Sequence, residues 1–567
     1  MNWTIIDGIG PFFTCDRRKR INWSKAPFEI LEHSGLPDPR RLAAVEAAFR
    51  TFARRVAEEG FNTVTLDDLA HLADLPGYPP ALRRRLAGWR AFYRRLFRIA
   101  ASHELRVLIT TDVVFEPPGY KPRPGRGPRR AAAFLGRACD AVLREFPEVA
   151  GMIFRLGEAD ADEVRHEFRS RLALRTPGQA RRFLKRMLPV FERNERWMIV
   201  RTWTVGAHFI GDLIWNPDTF DRVFAGLDSG RLIISMKYGE SDFFRFLPLN
   251  PLFFHSNHRK IVELQARREY EGFGEYPSFT GWDYERYASE LVGAVNVEGL
   301  SVWCQTGGWS GFRRLTYLDD SALWAEVNAN TALRIFRDNI SADRAVQLFY
   351  KQRFGDVHWG PFRELLQLSD EVIRDLLYID DFATRNIFFR RLRVPPLFAV
   401  YWDRILINHP VRKLMRCFVR RGEEKVRQGY IALEKIERMI ELAEQLGLPS
   451  DDLRFQYDTF RIIAAAREYY FRPFTAEIRD RIEQLKKDYK RRWPKPRYKV
   501  HTDFSRFALK RSRMKAILKI MLRRRSGYRR LDRLFTLRVL LLLYPLVARL
   551  VPKFMRREAM GLYSVFR

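Results

Sequence analysis

Three carboxylates stand where apolar runs give way to loop residues. Glu158 follows "AGMIFRLG" (150–157), Asp242 closes "RLIISMKYGESD" (231–242), and Glu269 lies in "KIVELQARREYEG" (260–272). Basic and aromatic residues accompany them. Arg201 and Trp203 share one parity in "RWMIVRTWTVG" (196–206), Lys237 and Glu240 precede Asp242, and Gln305 and Trp309 fall in "EGLSVWCQTGGWS" (298–310). Hydrolysis of a glycosidic bond needs two carboxyl functions, one protonated to serve the leaving oxygen and one that activates water or attacks directly. The apolar run before Glu158 raises its pKa and suits it to the acid role. Asp242 and Glu269, beside basic residues, are expected to stay ionised and to suit water activation. Tryptophan faces pack on pyranose rings, so Trp203 and Trp309 fit the same chemistry.

Each residue also has a plain structural reading. Glu158 could be an ordinary loop carboxylate. Asp242 and Glu269 could pair with Lys237 or Arg267, Arg201 and Lys237 could belong to internal ion pairs, and the tryptophans could fill space. The run "EADADE" (158–163) has carboxylates but lacks the spacing and glycine of an EF-hand loop. No HExxH motif or Cys/His cluster occurs, so neither metal nor cofactor is expected.

The elements that would position these residues are legible as a series. Eight apolar runs occur, at 4–10, 61–68, 105–115, 150–160, 196–206, 231–242, 260–272 and 298–310, most of them separated by segments of helical periodicity such as "RLAAVEAAFRTFARRVAEEG" (41–60). Strands alternating with helices imply parallel βα units, and eight of them fit a (β/α)8 barrel, with a doubly wound open sheet as the rival. In a barrel strand alternate residues face the lumen. Val262, Leu264 and Ala266 would then pack outward, while Glu263, Gln265, Arg267 and Glu269 point inward. That parity explains a strand full of charge: the lower residues pair in the lumen, and the upper ones line a site at the C-terminal mouth. Beyond about 340 the strand signals stop. The expected organisation is a barrel over 1–340, an all-helical domain over 341–480, and a basic, amphipathic helical tail region over 481–567.

Composition sets the frame. With 567 residues, 46% hydrophobic and 14% aromatic, the chain is globular and large enough for more than one domain. Four widely spaced cysteines suit a reducing compartment. No signal-peptide pattern opens the sequence, and a cytoplasmic location is expected. The net charge is +33, and residues 481–530 hold 20 Lys/Arg against 3 Asp/Glu, about half of the excess. A short apolar run, Val539 to Ala548, follows this basic segment. It is too short to span a bilayer, but the pair suits a helix lying on an anionic membrane surface. Docking of that helix into the protein's own core is the alternative, and nucleic acid is an unlikely partner. The sequence is silent on oligomeric state.

The chain resembles glycoside hydrolase family 67, the inverting α-glucuronidases. Its "FRLGEAD" (154–160) is similar to the acid-bearing segment of the family, its "MKYGESDFF" (236–244) to "VKNGPIDF", and its "ELQARREYEG" (263–272) to "EVQITQEYLG". Its "IVRTW" (199–203) looks like "MWRAF", and "GGWSG" (307–311) is similar to "DRNWTG". The resemblance implies Glu158 as acid and Asp242 and Glu269 as the pair that positions and activates water. It implies Arg201 and Lys237 as substrate contacts, with Arg155 near the place of a family lysine and Trp203 and Trp309 against the sugar. The implied activity is hydrolysis of an acidic, uronic-acid-containing oligo- or polysaccharide, in a setting such as bacterial surface-polysaccharide metabolism at the inner membrane. The competing reading is a non-catalytic polysaccharide- or membrane-associated scaffold built on a degenerate barrel.

Overall fold

The computed structural model describes residues 1–7, 20–21, 26, 28–119, 128–158, 167–204, 208–304, 308–309, 316–318, 322–355, 359–389, 392–394, 400–401, 404–493, 495, 497–505, 512, 515 and 522–523. Eight parallel strands close into a barrel: β1 (Trp3–Asp7), β2 (Thr63–Asp67), β3 (Arg106–Asp112), β4 (Val149–Arg155), β5 (Trp197–Arg201), β6 (Leu232–Lys237), β7 (Arg259–Gln265) and β8 (Val297–Trp303). The crossover helices are α1 (Pro39–Glu59), α2 (Pro80–Ser102), α3 (Pro128–Glu145), α4 (Pro177–Arg193), α5 (Pro217–Phe224), α6 (Gly281–Glu290) and α7 (Leu323–Asp338). Between β6 and β7 there is no α-helix, only the single turn Pro251–Phe253. Twenty-one residues of loop there leave the Asp242 segment free to fold over the mouth.

Local chemistry sets the helix ends. In α1, Asp38 accepts from the Arg40 amide, Pro39 opens the first turn, and Gly60 closes the helix at φ 104°, a left-handed conformation that favours glycine. The apolar positions Leu42, Val45, Phe49, Phe52, Ala53 and Val56 form one buried stripe against the barrel. The α4 start is built the same way, with Thr176 accepting from the Gln179 amide and Pro177 at the first position.

The predicted parity of β7 holds as far as Gln265, where the strand ends; Arg267 lies beyond it and pairs with Glu275. Val262, Leu264 and Ala266 pack in the layer between strands and helices. The lumen floor is a separate apolar layer of Trp3, Ile5, Leu108, Ile153, Ile199, Ile233 and Ile261. Gly299 makes room for it, since a Cβ there would lie 2.2 Å from the Trp3 carbonyl oxygen. Above the floor the lumen turns polar. This layering places the ionisable residues at the C-terminal mouth and keeps the base of the barrel dry.

After α7 the chain is largely helical: α8 (Ala342–Phe354), α9 (Trp359–Val372), α10 (Asp380–Ala383), α11 (His409–Phe418), α12 (Gly422–Gln445), α13 (Asp451–Phe471) and α14 (Ala476–Arg492). The expected helical domain after the barrel is present, with short strands added to it. Arg404–Asn408 pairs with Val400–Tyr401 and, in parallel, with Lys499–Asp503. The expected boundary at 480 falls inside α14, and Lys499–Asp503 ties the start of the basic region into this sheet. No helix among the described residues is long and apolar enough to cross a membrane. The apolar run Val539 to Ala548 lies outside the described residues.

Candidate active site

The lumen-facing residue at each strand's C-terminal end is ionisable, or nearly so, around most of the barrel. Asp7, Asp67, Asp112, Arg155, Arg201, Lys237 and Glu263 are all buried. Register brings neighbours together: Asp112 lies beside Arg155, Arg155 beside Arg201, and Lys237 beside Glu263. Two arginines side by side repel, so each needs its own carboxylates. Arg155 takes Asp112 at 2.9 Å and Asp67 at 3.4 Å. Arg201 takes Glu263 at 3.1 Å on one edge and Glu158 at 2.9 Å on the other. Burial alone would lower the Arg201 pKa, but Glu158 and Glu263 outweigh it and raise it.

The two partners of Arg201 respond differently. Glu263 is deep in the lumen, where burial favours its neutral form. Arg201, Lys237 and a hydrogen bond from Ser235 at 2.7 Å win instead, and its carboxyl sits below the usual range. Glu158 keeps 17% of its side chain exposed at the mouth. Burial dominates there and raises its pKa, even though Arg201, Arg155 and Lys237 pull the other way. Glu158 therefore holds its proton to a higher pH than an ordinary carboxyl while remaining reachable from solvent.

The second cluster grows from β6 and β7. Lys237 forms an ion pair with Asp242, and its ammonium lies 3.9 Å from the centre of the Trp203 ring and 4.2 Å from that of Phe243. Asp242 also accepts from the Tyr270 hydroxyl at 2.8 Å and from the Phe243 amide at 2.8 Å. Tyr270 stacks on Phe244 with ring centres 3.9 Å apart, which fixes the phenol. Glu269 is buried, and its backbone N–H donates to Gln265 Oε1 at 3.0 Å. Burial, then the Asp242 charge, push its carboxyl up to about 8; Lys237 and a hydrogen bond with Tyr270 oppose this. The expectation that Glu269 stays ionised is therefore corrected. Desolvation outweighs the nearby cation, and the basic neighbours in sequence, Arg267 and Arg268, turn to other carboxylates. Tyr270 thus stands between the two carboxyls, donating to Asp242 and lying within hydrogen-bonding reach of Glu269.

The structure thus brings Glu158, Asp242, Glu269, Arg201, Lys237 and Trp203 to one mouth, each in electrostatic or direct contact with another of the set. Arg155 is only 1% exposed and is spent on Asp67 and Asp112, so it props the site rather than facing a ligand. Trp309 is in a two-residue strand, Gly308–Trp309, paired with Arg20–Ile21. Its side chain, the loop after Glu158 and Gln305 lie outside the described residues. Sequence reasoning missed Tyr270 and Trp303. The indole of Trp303 lies under the Arg201 guanidinium, 4.6 Å from ring centre to Cζ, and its N–H has no partner among the described residues. It also missed the aspartates Asp7, Asp67 and Asp112, which the parity rule applied to β1–β3 would have found. Among the described residues no group of His, Cys, Asp and Glu is arranged to hold a metal ion.

No family model and no curated protein matches the chain. Solved structures do. A glycoside hydrolase family 138 enzyme targeting pectin rhamnogalacturonan II is similar over 81% of this chain and 58% of its own, at 12% identity and a TM-score of 0.47. An O-GlcNAc hydrolase of Thermobaculum terrenum is similar over 78% of this chain and 85% of its own, at 8% identity and a TM-score of 0.40. A D-psicose 3-epimerase from Clostridium cellulolyticum covers 51% of this chain and 93% of its own, at 11% identity and a TM-score of 0.30. The chain spans little more than half the length of the first of these, and all three are carbohydrate-active enzymes.

Proposed function

We propose that the chain hydrolyses a glycosidic bond at the mouth formed by β4, β6 and β7. The observation that carries this reading is the pairing of two burial-raised carboxyls, Glu158 and Glu269, with Asp242 held by Lys237 and Tyr270. Glycoside hydrolysis needs carboxyls in unlike states, and this site separates them by environment. Glu158, partly exposed, protonates the leaving oxygen. Asp242 receives the proton of the attacking water, with Glu269 and Tyr270 orienting that water. The Trp203 face and the Trp303 N–H hold the sugar.

A uronic-acid-bearing substrate, as in the α-glucuronidases, is the finer form of this proposal. Of the two Arg201 partners Glu158 is the one at the mouth, so a substrate carboxylate would compete with it for that edge of the guanidinium. The basic C-terminal segment, whose last described helix ends in exposed Lys490, Arg491 and Arg492, would hold the enzyme against an anionic membrane, close to surface polysaccharide. Incubation with uronic-acid-decorated oligosaccharides and bacterial acidic polysaccharides tests the reading. Sugar release from one of these, abolished in Glu158→Gln, is the expected result; binding without release in both proteins would favour a non-catalytic scaffold.

A further inference from the structure

The loops that carry Asp242 and Glu269 are joined behind the site by a buried ion network, and the helical region supplies part of it. Arg245 stands three residues after Asp242, and Glu271 two residues after Glu269. They pair at 2.7 Å, and a second Arg245 nitrogen lies 3.1 Å from the other Glu271 oxygen. Arg245 also reaches Asp283 on α6 at 3.4 Å and Asp370 on α9. Arg268 pairs with Asp283 at 2.8 Å and with Glu271 at 3.7 Å. Arg374, one turn after Asp370, closes the circuit by pairing with Asp370 at 2.8 Å and Asp283 at 3.0 Å. Three guanidinium groups and three carboxylates balance in charge, and Arg245, Arg268, Glu271 and Asp283 are almost wholly buried. The network costs desolvation that an apolar contact would avoid, so geometry is its best-supported use.

The rest of the β7 loop is also held from the helical side. Tyr276 packs into the core of that region, and Phe279 packs with Leu323, Val327, Phe349 and Phe362. The Tyr498 hydroxyl donates to the Gly272 carbonyl, and Tyr378 donates to Glu271 at 3.2 Å. Thus the segment from Arg267 to Thr280 is fixed at one end by barrel strand β7 and along its outer face by residues far away in sequence, from Leu323 to Tyr498.

We infer that Asp370 and Arg374 are positioning residues of the active site: Asp370 holds Arg245, the partner of Glu271, and Arg374 holds Asp370 and Asp283, so together they set the approach of Asp242 to Glu269 and the helical region controls the chemistry of the barrel mouth. This inference rests on the proposed role of those two carboxyls. Released from the clamp, the two loops separate and admit water, and Glu269 loses both causes of its raised pKa.

The test compares the full-length protein with Asp370→Asn, Asp370→Glu and Arg374→Ala. The last is a rim residue, with a third of its side chain exposed, whose loss leaves the buried pair intact. Hydrogen–deuterium exchange reads loop tethering. Exchange over residues 240–246 and 266–276 should rise about tenfold in Asp370→Asn and Arg374→Ala, with the barrel strands unchanged and Asp370→Glu returning toward wild type. An infrared pH titration of the protonated-carboxyl band, assigned by its loss in Glu269→Gln, should show the midpoint falling by about one unit in the same variants. Unchanged exchange in both loops overturns the inference. So does faster exchange with an unmoved Glu269 midpoint, which would make the network structural only. Failure of the proposed function shows separately, as absence of sugar release from wild-type protein whose loops respond as expected.

Discussion

At the scale of single residues, the site works by giving similar carboxyls different surroundings. Glu263 meets Arg201, Lys237 and Ser235 and is held below the usual range; Glu269 meets burial and Asp242 and is pushed up to about 8. The second shift is a statement about stability. An unfolded chain releases the Glu269 proton near pH 4.5, whereas the native protein keeps it to about 8. Between these values the native state binds more protons, so stability falls as pH rises. Glu269→Gln should remove that slope, amounting to a few kcal/mol, roughly; urea unfolding of both proteins at pH 5 and pH 8 checks it. An equal pH dependence in the two would contradict the assignment. The three carboxylates were legible in the sequence by two signals: Glu158 and Asp242 stood just past apolar runs, and Glu269 shared the lumen parity of Glu263 and Gln265. The protonation of Glu269 was not, since it depends on which cations turn away. Arg267 and Arg268 are its neighbours in sequence, yet they pair with Glu275 and Asp283.

At the scale of elements, all eight apolar runs are barrel strands, and most of them overrun the strand at its C-terminal end. The run read as 150–160 contains β4 only to Arg155, and the run read as 260–272 contains β7 only to Gln265. The excess is the beginning of the mouth loops; after β7 most of these residues, Ala266 to Glu269, Glu271 and Gly272, are buried like strand residues. The absent sixth helix was not legible: residues 238–258 are as rich in aromatic side chains as a helix face, but they pack as a loop. Close fit between loops is itself a prediction. A Cβ on Gly157 would lie 2.4 Å from Thr204 Cα and 2.9 Å from the Trp203 carbonyl oxygen, so the loop with Glu158 touches the loop with Trp203 backbone to backbone. Gly157→Ala should leave the fold intact by circular dichroism and lower kcat by about a hundredfold, the cost of misplacing a reacting group by an ångström. Wild-type turnover would show that this contact does not set the acid.

At the scale of the whole molecule, barrel and helical region share one charged joint. The distribution of arginines gave no hint of it in the sequence, because its members lie up to 129 residues apart, from Arg245 to Arg374. Burial would raise the Asp283 carboxyl, but Arg268, Arg245 and Arg374 outweigh it and hold it well below the usual carboxylate range. A depressed carboxyl stabilises the fold above its unfolded pKa and loses that contribution as pH falls. Asp283→Asn should therefore destabilise by about 3–5 kcal/mol at pH 7, with the gap from wild type narrowing below about pH 4; denaturant titrations at both pH values decide. The central claim is that Glu158, Asp242 and Glu269 cleave a glycosidic bond with distinct roles. Its most direct test is turnover of a panel of glycosides carrying either a sugar or an activated aryl leaving group. Asp242→Asn and Glu269→Gln should lose both activities. Glu158→Gln should lose only the first, because a good leaving group needs no acid. No turnover by the wild-type protein, or equal turnover by wild type and Glu158→Gln on the sugar leaving group, would contradict the account.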